Sequence, residues 1–432
     1  MRQTLFFIPH ELAGIPIFGF GWLLGLWILV SGLLAWRTTR KQGGSHELVG
    51  MLPVLAIVAA VIVFLIPRIE EPILPGWLTL PPSTTSETGL PIRGYGVLLL
   101  TAVVSGVLLA VYRAQRMGLE ADTIFSLAFA MFVTGIVGAR LFFVIQYWDT
   151  MQGQNLTETL RNIFNVVQGG LVVYGSLIGA MVGFAYFCWK HQLPALALAD
   201  LIAPSLALGL AIGRVGCLMN GCCYGGPCSY PWAITFPPQS PPYSEQAADG
   251  TFLGIDFAEP ADAQMGVQVA SVTAGSVADA AGITANARIV SLDGYEVNSL
   301  DNVKSVLSRA TSEVVITLDS GRSIVLANPR PARSQPIHPT QIYSALNATL
   351  LCLFALALYP FRQRDGQVIA VLLTLYAITR FLLEVIRTDE GSFGGTGLTI
   401  SQNVSILMAV GLAVLWASIY LRPAKLVWPR NA

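Results

Sequence analysis

Charge is what this chain is short of. Asp, Glu, Lys and Arg make up only 12% of its 432 residues, against roughly 25% in an ordinary soluble domain. That shortage excludes a soluble multidomain enzyme, and it excludes a disordered chain, which stays unfolded by being charged and poor in apolar residues. Neither sign is in excess, with 25 basic and 25 acidic residues, so no basic field exists to attract a nucleic acid. Cysteine is scarce too: six in the whole chain cannot build a disulfide-held scaffold. Apolar side chains take up the difference, at 54% of the sequence and a mean hydropathy of +0.62. The expected fold class is an all-α polytopic membrane protein.

A spanning helix takes about 20 mostly apolar residues. Stretches near 16–36, 50–67, 93–113, 124–147, 169–189, 196–218, 340–360, 366–387 and 400–421 qualify, which predicts nine spans. The opening MRQTLFFIPHELAG carries one Arg, and then His10 and Glu11 interrupt any signal-peptide core, so the first span is expected to be retained. Basic residues gather in RTTRK (37–41), YRAQR (112–116), WKHQ (189–192), FRQR (361–364) and the tail from Leu421, while RIEEPILPGW and TDEGSFGGTG are neutral to acidic. With nine spans, the positive-inside rule puts the N-terminus outside a bacterial inner membrane and the C-terminus in the cytoplasm. Residues 15–43 also align without gaps to 90–118, sharing Pro16/Pro91, Gly19/Gly94, Gly21/Gly96 and Gly43/Gly118, the mark of a partial duplication. The second copy has Arg93 and Tyr95 where the first has Phe18 and Phe20, so polar function is expected in the second.

One segment has ordinary soluble composition. Between Glu245 and Arg333 lie 17 of the 50 charged residues, 11 of them acidic. Alternating apolar residues in 266–272, 287–297 and 313–327 predict strands, and SVADAAG and LDNVKSVLSRA predict helices. In order, TFLGIDF (251–257), the GS-x-A-x-x-AG helix and a strand with L-x-G-x-x-V resemble a PDZ domain. Such domains capture a peptide C-terminus by adding it as a strand; a small β-rich plug without a ligand is the plainer alternative. The expected division is 1–89, an N-terminal extension with two spans; 90–244 and 334–432, the two parts of a membrane core; and 245–333, the periplasmic insert.

Ionisable residues inside spans cost about 2.5–3.5 kcal/mol each on insertion scales. Here they are Arg93, Arg140, Arg214, Arg380, Glu384 and Arg387, all expected near the outer ends of their spans. Tyr376, Arg380, Glu384 and Arg387 share one helix face. An Arg380–Glu384 pair could be purely structural, but five arginines against one glutamate point to an anion. A membrane-embedded anion with an apolar remainder is most simply a phospholipid head group, which the arginine fork suits. His338, in HPTQIYSAL, sits beside this cluster as a candidate acid/base. Cys217, Cys222, Cys223 and Cys228 form C-x4-C-C-x4-C, not a standard zinc spacing, and disulfides are the plain reading in an oxidising compartment. No metal or cofactor is expected. Leu156, Leu160, Ile163, Phe164 and Val167 form an amphipathic stripe suited to a helix lying on the interface.

Six blocks, in order, resemble the prolipoprotein diacylglyceryl transferases: IRGYG (92–96), VGARLFFV (137–144), GGLVVYGSLIGA (169–180), GRVGCLMNGCCYG (213–225), HPTQIYSAL (338–346) and YAITRFLLEVIR (376–387). The resemblance implies transfer of a diacylglyceryl group from phosphatidylglycerol to the thiol of a prolipoprotein's lipobox cysteine, forming a thioether and releasing glycerol phosphate. It implies that Arg214 and Arg380 hold the lipid phosphate, and that Tyr95, Arg140, Asn220, Gly225, Tyr376, Glu384, Arg387 and His338 serve the same site. Three positions depart from the family: Tyr174 stands where it commonly has His, Cys217 where it has Asn, and Cys222 where it has Glu. Tyr174 or His338 is then the expected proton relay. The competing readings are a degenerate relative that binds lipid and displays the PDZ-like domain, a thiol or metal enzyme built on the cysteines, and, least suited to a parallel repeat, a transporter.

Overall fold

With no water in the hydrocarbon to take up backbone N–H and C=O groups, an apolar run of this length has to close its hydrogen bonds internally as a helix. The computed structural model describes residues 4–39, 55–56, 58–69, 71–72, 88–153, 155–165, 169–258, 266–310, 312–387 and 397–428. Among these, six helices are long and apolar enough to cross a membrane: Gly94–Arg116, Ala121–Gln146, Ala195–Asn220, Thr340–Phe361, Gln367–Glu384 and Ile400–Leu421. These account for six of the nine expected spans among the described residues. The stretch at 16–36 forms a shorter apolar helix within Trp22–Thr39. That at 50–67 lies partly outside the described residues and ends in a π-turn, Val61–Leu65. The one at 169–189 becomes the Val173–Lys190 helix, which is not among the six because glycines, tyrosines and a terminal lysine dilute its apolar run.

Ala195–Asn220 is the central helix. Over half of its span, 56%, is buried, against a third or less in the other five, and it packs on both Gly94–Arg116 and Thr340–Leu358. Ala121–Gln146 and Val173–Lys190 pair lengthwise on glycine: a Cβ at Gly138 would stand 2.4 Å from the Gly175 carbonyl oxygen and 2.8 Å from the Gly179 Cα. This is the small-residue packing that lets helices in lipid approach backbone to backbone.

The end remote from the cysteines holds charge that sequence reading assigned to exposed basic loops. Arg362, fully buried, stacks on Tyr359 at 3.7 Å and donates to the Tyr359 and Trp428 carbonyls. Arg113 covers the same ring at 4.2 Å and donates to the Leu201 carbonyl. Asp200, also fully buried, accepts the N–H groups of Gly366 (2.7 Å) and Ile369 (2.8 Å). It thus caps the start of Gln367–Glu384 from a neighbouring helix.

At the other end the chain leaves the membrane helices for a six-stranded sheet. Ile255–Ala258, Val267–Val272, Arg288–Leu292, Glu313–Leu318 and Ser323–Ala327 lie in spatial order with Ile255–Ala258 at one edge, and Tyr295–Glu296 pairs with Arg288–Leu292. Val267, Val269, Ile289, Leu292, Val314 and Ile316 fill the core beneath helix Leu300–Arg309. Single bridges Pro227–Ile337 and Ile234–Ile337 hold the two ends of this insert together. A helix is present at Leu156–Phe164 where the surface stripe predicts one, and Val167 of that stripe lies outside the described residues. An unanticipated pairing joins Thr4–Pro9 antiparallel to Thr88–Arg93, the strand leading into the helix that starts at Gly94.

Gly138→Ala should destabilise the protein by about 1–3 kcal/mol through overpacking, read as a lowered thermal midpoint in detergent. Gly209→Ala, whose new Cβ would meet only the Ala102 oxygen at 3.6 Å, should leave the midpoint unchanged or raise it.

Candidate functional site

Glu384, at the last turn of Gln367–Glu384, has a side chain with no solvent exposure and pairs with Arg380 (2.9 Å) and Arg387 (3.2 Å). The spacing i, i+4, i+7 places all three on one face. The start of Ile400–Leu421 completes the arrangement: Thr399 Oγ1 donates to Glu384 Oε1 at 3.2 Å, and Arg380 Nη2 donates to Ser401 Oγ at 2.7 Å. Ser401 Oγ is 3.3 Å from the Tyr174 hydroxyl, so Tyr174 reaches the arginines through one serine. Sequence reading missed Thr399 and Ser401. Their signal was the capping box Thr399–Gln402, which marks a helix start.

The Asn220–Gly226 turn lies against these residues. Gly225 bridges Arg387, and Gly226 N–H donates to the Ile386 carbonyl at 3.0 Å. Gly225 N–H and His338 N–H bind back across the segment at 3.0 and 2.9 Å. No side chain fits at Gly225, where a Cβ would stand 2.7 Å from His338 Cβ and 2.8 Å from Thr340 Cγ2. Thr340 Oγ1 donates to the Cys223 carbonyl (2.6 Å) and Gln341 Nε2 to the Cys222 carbonyl (2.8 Å). Arg214, half-buried in the last two turns of its helix, lies in electrostatic range of Tyr376, Cys223, Cys217 and Arg387. Tyr95 faces the same cysteines and touches the position of Gly216 at 3.3 Å. Asn220 hydrogen-bonds Cys222.

Not every predicted arginine joins this group. Arg140 directs all five of its N–H donors at backbone carbonyls: Ile163 and Asn162 at 2.7 and 2.6 Å, Asn165 at 2.9 Å, Gly169 and Gly170 at 3.0 Å. A guanidinium has five such donors, so this one ties the end of the surface helix to the turn that leads into Tyr174. Arg93 is exposed at the cap of its helix, opposite Thr4 in the strand pair. His338 stands in an aromatic surround, with Nδ1 3.4 Å from the Tyr343 hydroxyl and the Tyr230 ring 6.0 Å away. Between the last two helices, Ala377, Ile378, Phe381, Leu382, Ser405 and Ile406 line an apolar groove of about 250 Å³ that flanks Arg380.

The cysteines differ from the disulfide reading: all six are free thiols. The Sγ atoms of Cys217, Cys222 and Cys223 lie within 4.8 Å of one another, half-buried, and Cys228 stands outside the group. Hydrogen bonds from the Cys217 and Cys222 thiols hold the Cys223 thiol well below the ordinary cysteine range, with Arg214 and Arg387 adding to the effect.

Two outcomes follow from this geometry. Removing one partner of a buried ion pair costs about 3–5 kcal/mol, so Glu384→Ala should lower the thermal midpoint strongly; an unchanged midpoint would show the two arginines need no counter-ion. A depressed Cys223 leaves a thiolate at pH values where ordinary cysteines are protonated. In reduced, chelator-treated protein its alkylation by iodoacetamide should therefore persist at pH 6, while an ordinary thiol slows about tenfold per pH unit below its pKa. Cys223→Ser should abolish the acid-resistant labelling seen by mass spectrometry.

The comparisons with known proteins can now be set beside this site. The family profile of prolipoprotein diacylglyceryl transferase matches residues 83–418, a range that contains every residue of the cluster. A Rhodopirellula baltica protein named phosphatidylglycerol–prolipoprotein diacylglyceryl transferase is 36% identical over 452 aligned positions, spanning 96% of this chain and 89% of its own length. A Clostridium perfringens protein named phosphatidylglycerol–prolipoprotein diacylglyceryl transferase 2 is 27% identical across 76% of this chain and 91% of its own. The chain belongs to the prolipoprotein diacylglyceryl transferase family.

Proposed function

We propose that this chain is the enzyme that moves a diacylglyceryl group from phosphatidylglycerol to the lipobox cysteine thiol of prolipoproteins, forming a thioether and releasing glycerol phosphate. The observation that carries this reading is the pairing of Arg380 and Arg387 with one buried carboxylate, with Arg214 in electrostatic range of Arg387, at positions the family profile covers. Three guanidiniums against one glutamate leave a net positive site. Arg380 has donors beyond those engaged by Glu384 and Ser401. Arg214 and Arg380 hold the phosphate and stabilise the charge that grows as glycerol phosphate departs. Glu384 fixes Arg380 and Arg387, and Tyr95, Asn220, Gly225 and Tyr376 shape the surrounding wall. The groove beside Arg380 suits an acyl chain. Arg140 acts at one remove, by setting the turn before Tyr174. The incoming cysteine attacks as a thiolate, with Tyr174 or His338 relaying its proton.

The remaining organisation belongs to the same reading. Residues 1–89 form the extension, 90–244 and 334–432 the transferase core, and 245–333 a PDZ-like domain. In support of that last assignment, Ile255–Ala258 is an edge strand. The Leu253, Gly254 and Ile255 N–H groups at its start share the Gly250 carbonyl at 2.9–3.2 Å, and a terminal carboxylate would take the place of that carbonyl. A precursor segment is the peptide that fits this role. The N-terminus and the insert face the periplasm, and the C-terminus faces the cytoplasm, across the bacterial inner membrane.

In a strain depleted of its own transferase, Arg214→Ala and Arg380→Ala should each reduce thioether formation on a reporter lipoprotein by on the order of 10²–10³-fold. Near-normal lipidation by either variant, read by mass shift, would overturn the assignment. If His338 relays the proton, His338→Gln should slow transfer far more at neutral than at alkaline pH; parallel losses at both would remove it from that role.

A further inference from the structure

The three converging thiols have no part in the scheme above, and they stand at its centre. Cys217 is on the last turn of Ala195–Asn220. The chain then reverses through left-handed residues, Gly221 (φ 80°) and Cys223 (φ 61°), which folds Cys222 and Cys223 back over Cys217. The Gly221 and Cys222 N–H groups both donate to the Cys217 carbonyl, at 2.9 and 3.2 Å, and Cys222 Sγ lies 3.8 Å from the same oxygen. A non-glycine residue in the left-handed region costs about 1–3 kcal/mol, and here the clamps from Thr340 and Gln341 hold it in place. Backbone strain, buried hydrogen bonds and close packing all serve to bring three sulfurs to one point.

We infer that Cys217, Cys222 and Cys223 form a site for a soft divalent cation of the zinc type, with its fourth position open to the thiol of the incoming substrate cysteine. A zinc–sulfur bond of about 2.3 Å sets the sulfurs of a tetrahedral site about 3.8 Å apart. The observed separations, all within 4.8 Å, close to that with small side-chain rotations. Among the described residues no fourth His, Cys, Asp or Glu joins the three, and three protein ligands with one vacancy is the pattern of a catalytic rather than a structural zinc. Charge agrees. Three thiolates and a divalent cation carry one net negative charge, and a fourth thiolate makes two; Arg214 and Arg387, both in electrostatic range of Cys223, set that excess in a field of positive sign.

The step is balanced without a redox partner. The substrate thiol binds the cation, and its proton leaves to solvent through the Tyr174 or His338 relay, since a coordinated thiol is deprotonated outright. The bound sulfur attacks the diacylglyceryl carbon that carries the phosphate ester. A carbon–sulfur bond forms and the carbon–oxygen bond breaks. The electron pair departs on the oxygen of glycerol phosphate, held by the arginines. The neutral thioether is a weak ligand and dissociates. This inference rests on the transferase reading and supplies thiol activation where Tyr174, Cys217 and Cys222 replace the family's more usual His, Asn and Glu.

The test uses the full chain in detergent, reduced and stripped with a chelator, then titrated with Co²⁺ as a spectroscopic stand-in. One equivalent should give thiolate-to-metal charge transfer and the visible bands of a tetrahedral site. Cys217→Ser, Cys222→Ser and Cys223→Ser should each lose those bands, and Cys228→Ser should keep them. A peptide bearing the substrate cysteine should shift them. Chelation should lower lipidation by on the order of 10²-fold, the scale of a lost proton-transfer group, and Zn²⁺ should restore it. Absent bands, or a disulfide among the three cysteines in the purified protein, would overturn the inference. So would undiminished transfer by the stripped enzyme, which would leave the transferase reading intact. Bands that respond to the peptide without any transfer by the zinc-loaded protein would uphold the site and sink that reading instead.

Discussion

A carboxylate stripped of water inside a membrane protein needs cations or hydrogen-bond donors in its place, and Glu384 has two arginines. Its oxygens bind Arg380 on its own helix and Arg387 just past that helix's end, and accept the Thr399 hydroxyl at the start of the next. Everything around the site hangs from that contact. Arg380 reaches Ser401, and through it Tyr174; Arg387 meets Gly225 and so the cysteine turn. A buried ion pair seldom adds stability over apolar packing, but breaking one is expensive. The pair therefore sets geometry more than it strengthens the fold. It also holds one positive charge in excess, which a second carboxylate would have cancelled.

Much of this was legible in the residues, for a reason that can be stated. Charge in an apolar run is costly enough that Arg214, Arg380, Glu384 and Arg387 announce a site by being there at all. The insert was legible because strands alternate with a period of two: Val267, Val269, Ile289 and Ile316 all point to the core, as their spacing requires. What each charge touches was not legible. Arg140 and Arg380 look equivalent as letters, yet one meets five carbonyls and the other a carboxylate and a hydroxyl. The difference lies in where residues 162–165 and 169–170 turn their oxygens, and no local pattern encodes that.

The cysteines and the basic loops teach the same lesson from opposite directions. A spacing of four and then zero does not predict three sulfurs at one point, because their convergence depends on a left-handed Cys223 and on clamps from Thr340 and Gln341, more than a hundred residues later in the chain. Arg113 and Arg362 read in the sequence as markers of orientation, but they are not loosely solvated. They enclose Tyr359 from two sides and cap carbonyls beneath it. The positive-inside bias thus coincides here with a buried polar layer, where Asp200 also takes the place of a missing helix cap.

The two bridges that tie Pro227 and Ile234 to Ile337 have a consequence for how such a chain can change over time. They bring the points of departure and return together, so the membrane core is closed before the intervening hundred or so residues are considered. Phe236 and Ser334 add a reciprocal pair of hydrogen bonds just beyond, at 2.8 and 2.9 Å. A loop anchored in this way tolerates great variation in length at small entropic expense. Lineages are then free to gain, exchange or discard the appended module while the arginines keep their spacing, and selection on the two parts can proceed separately.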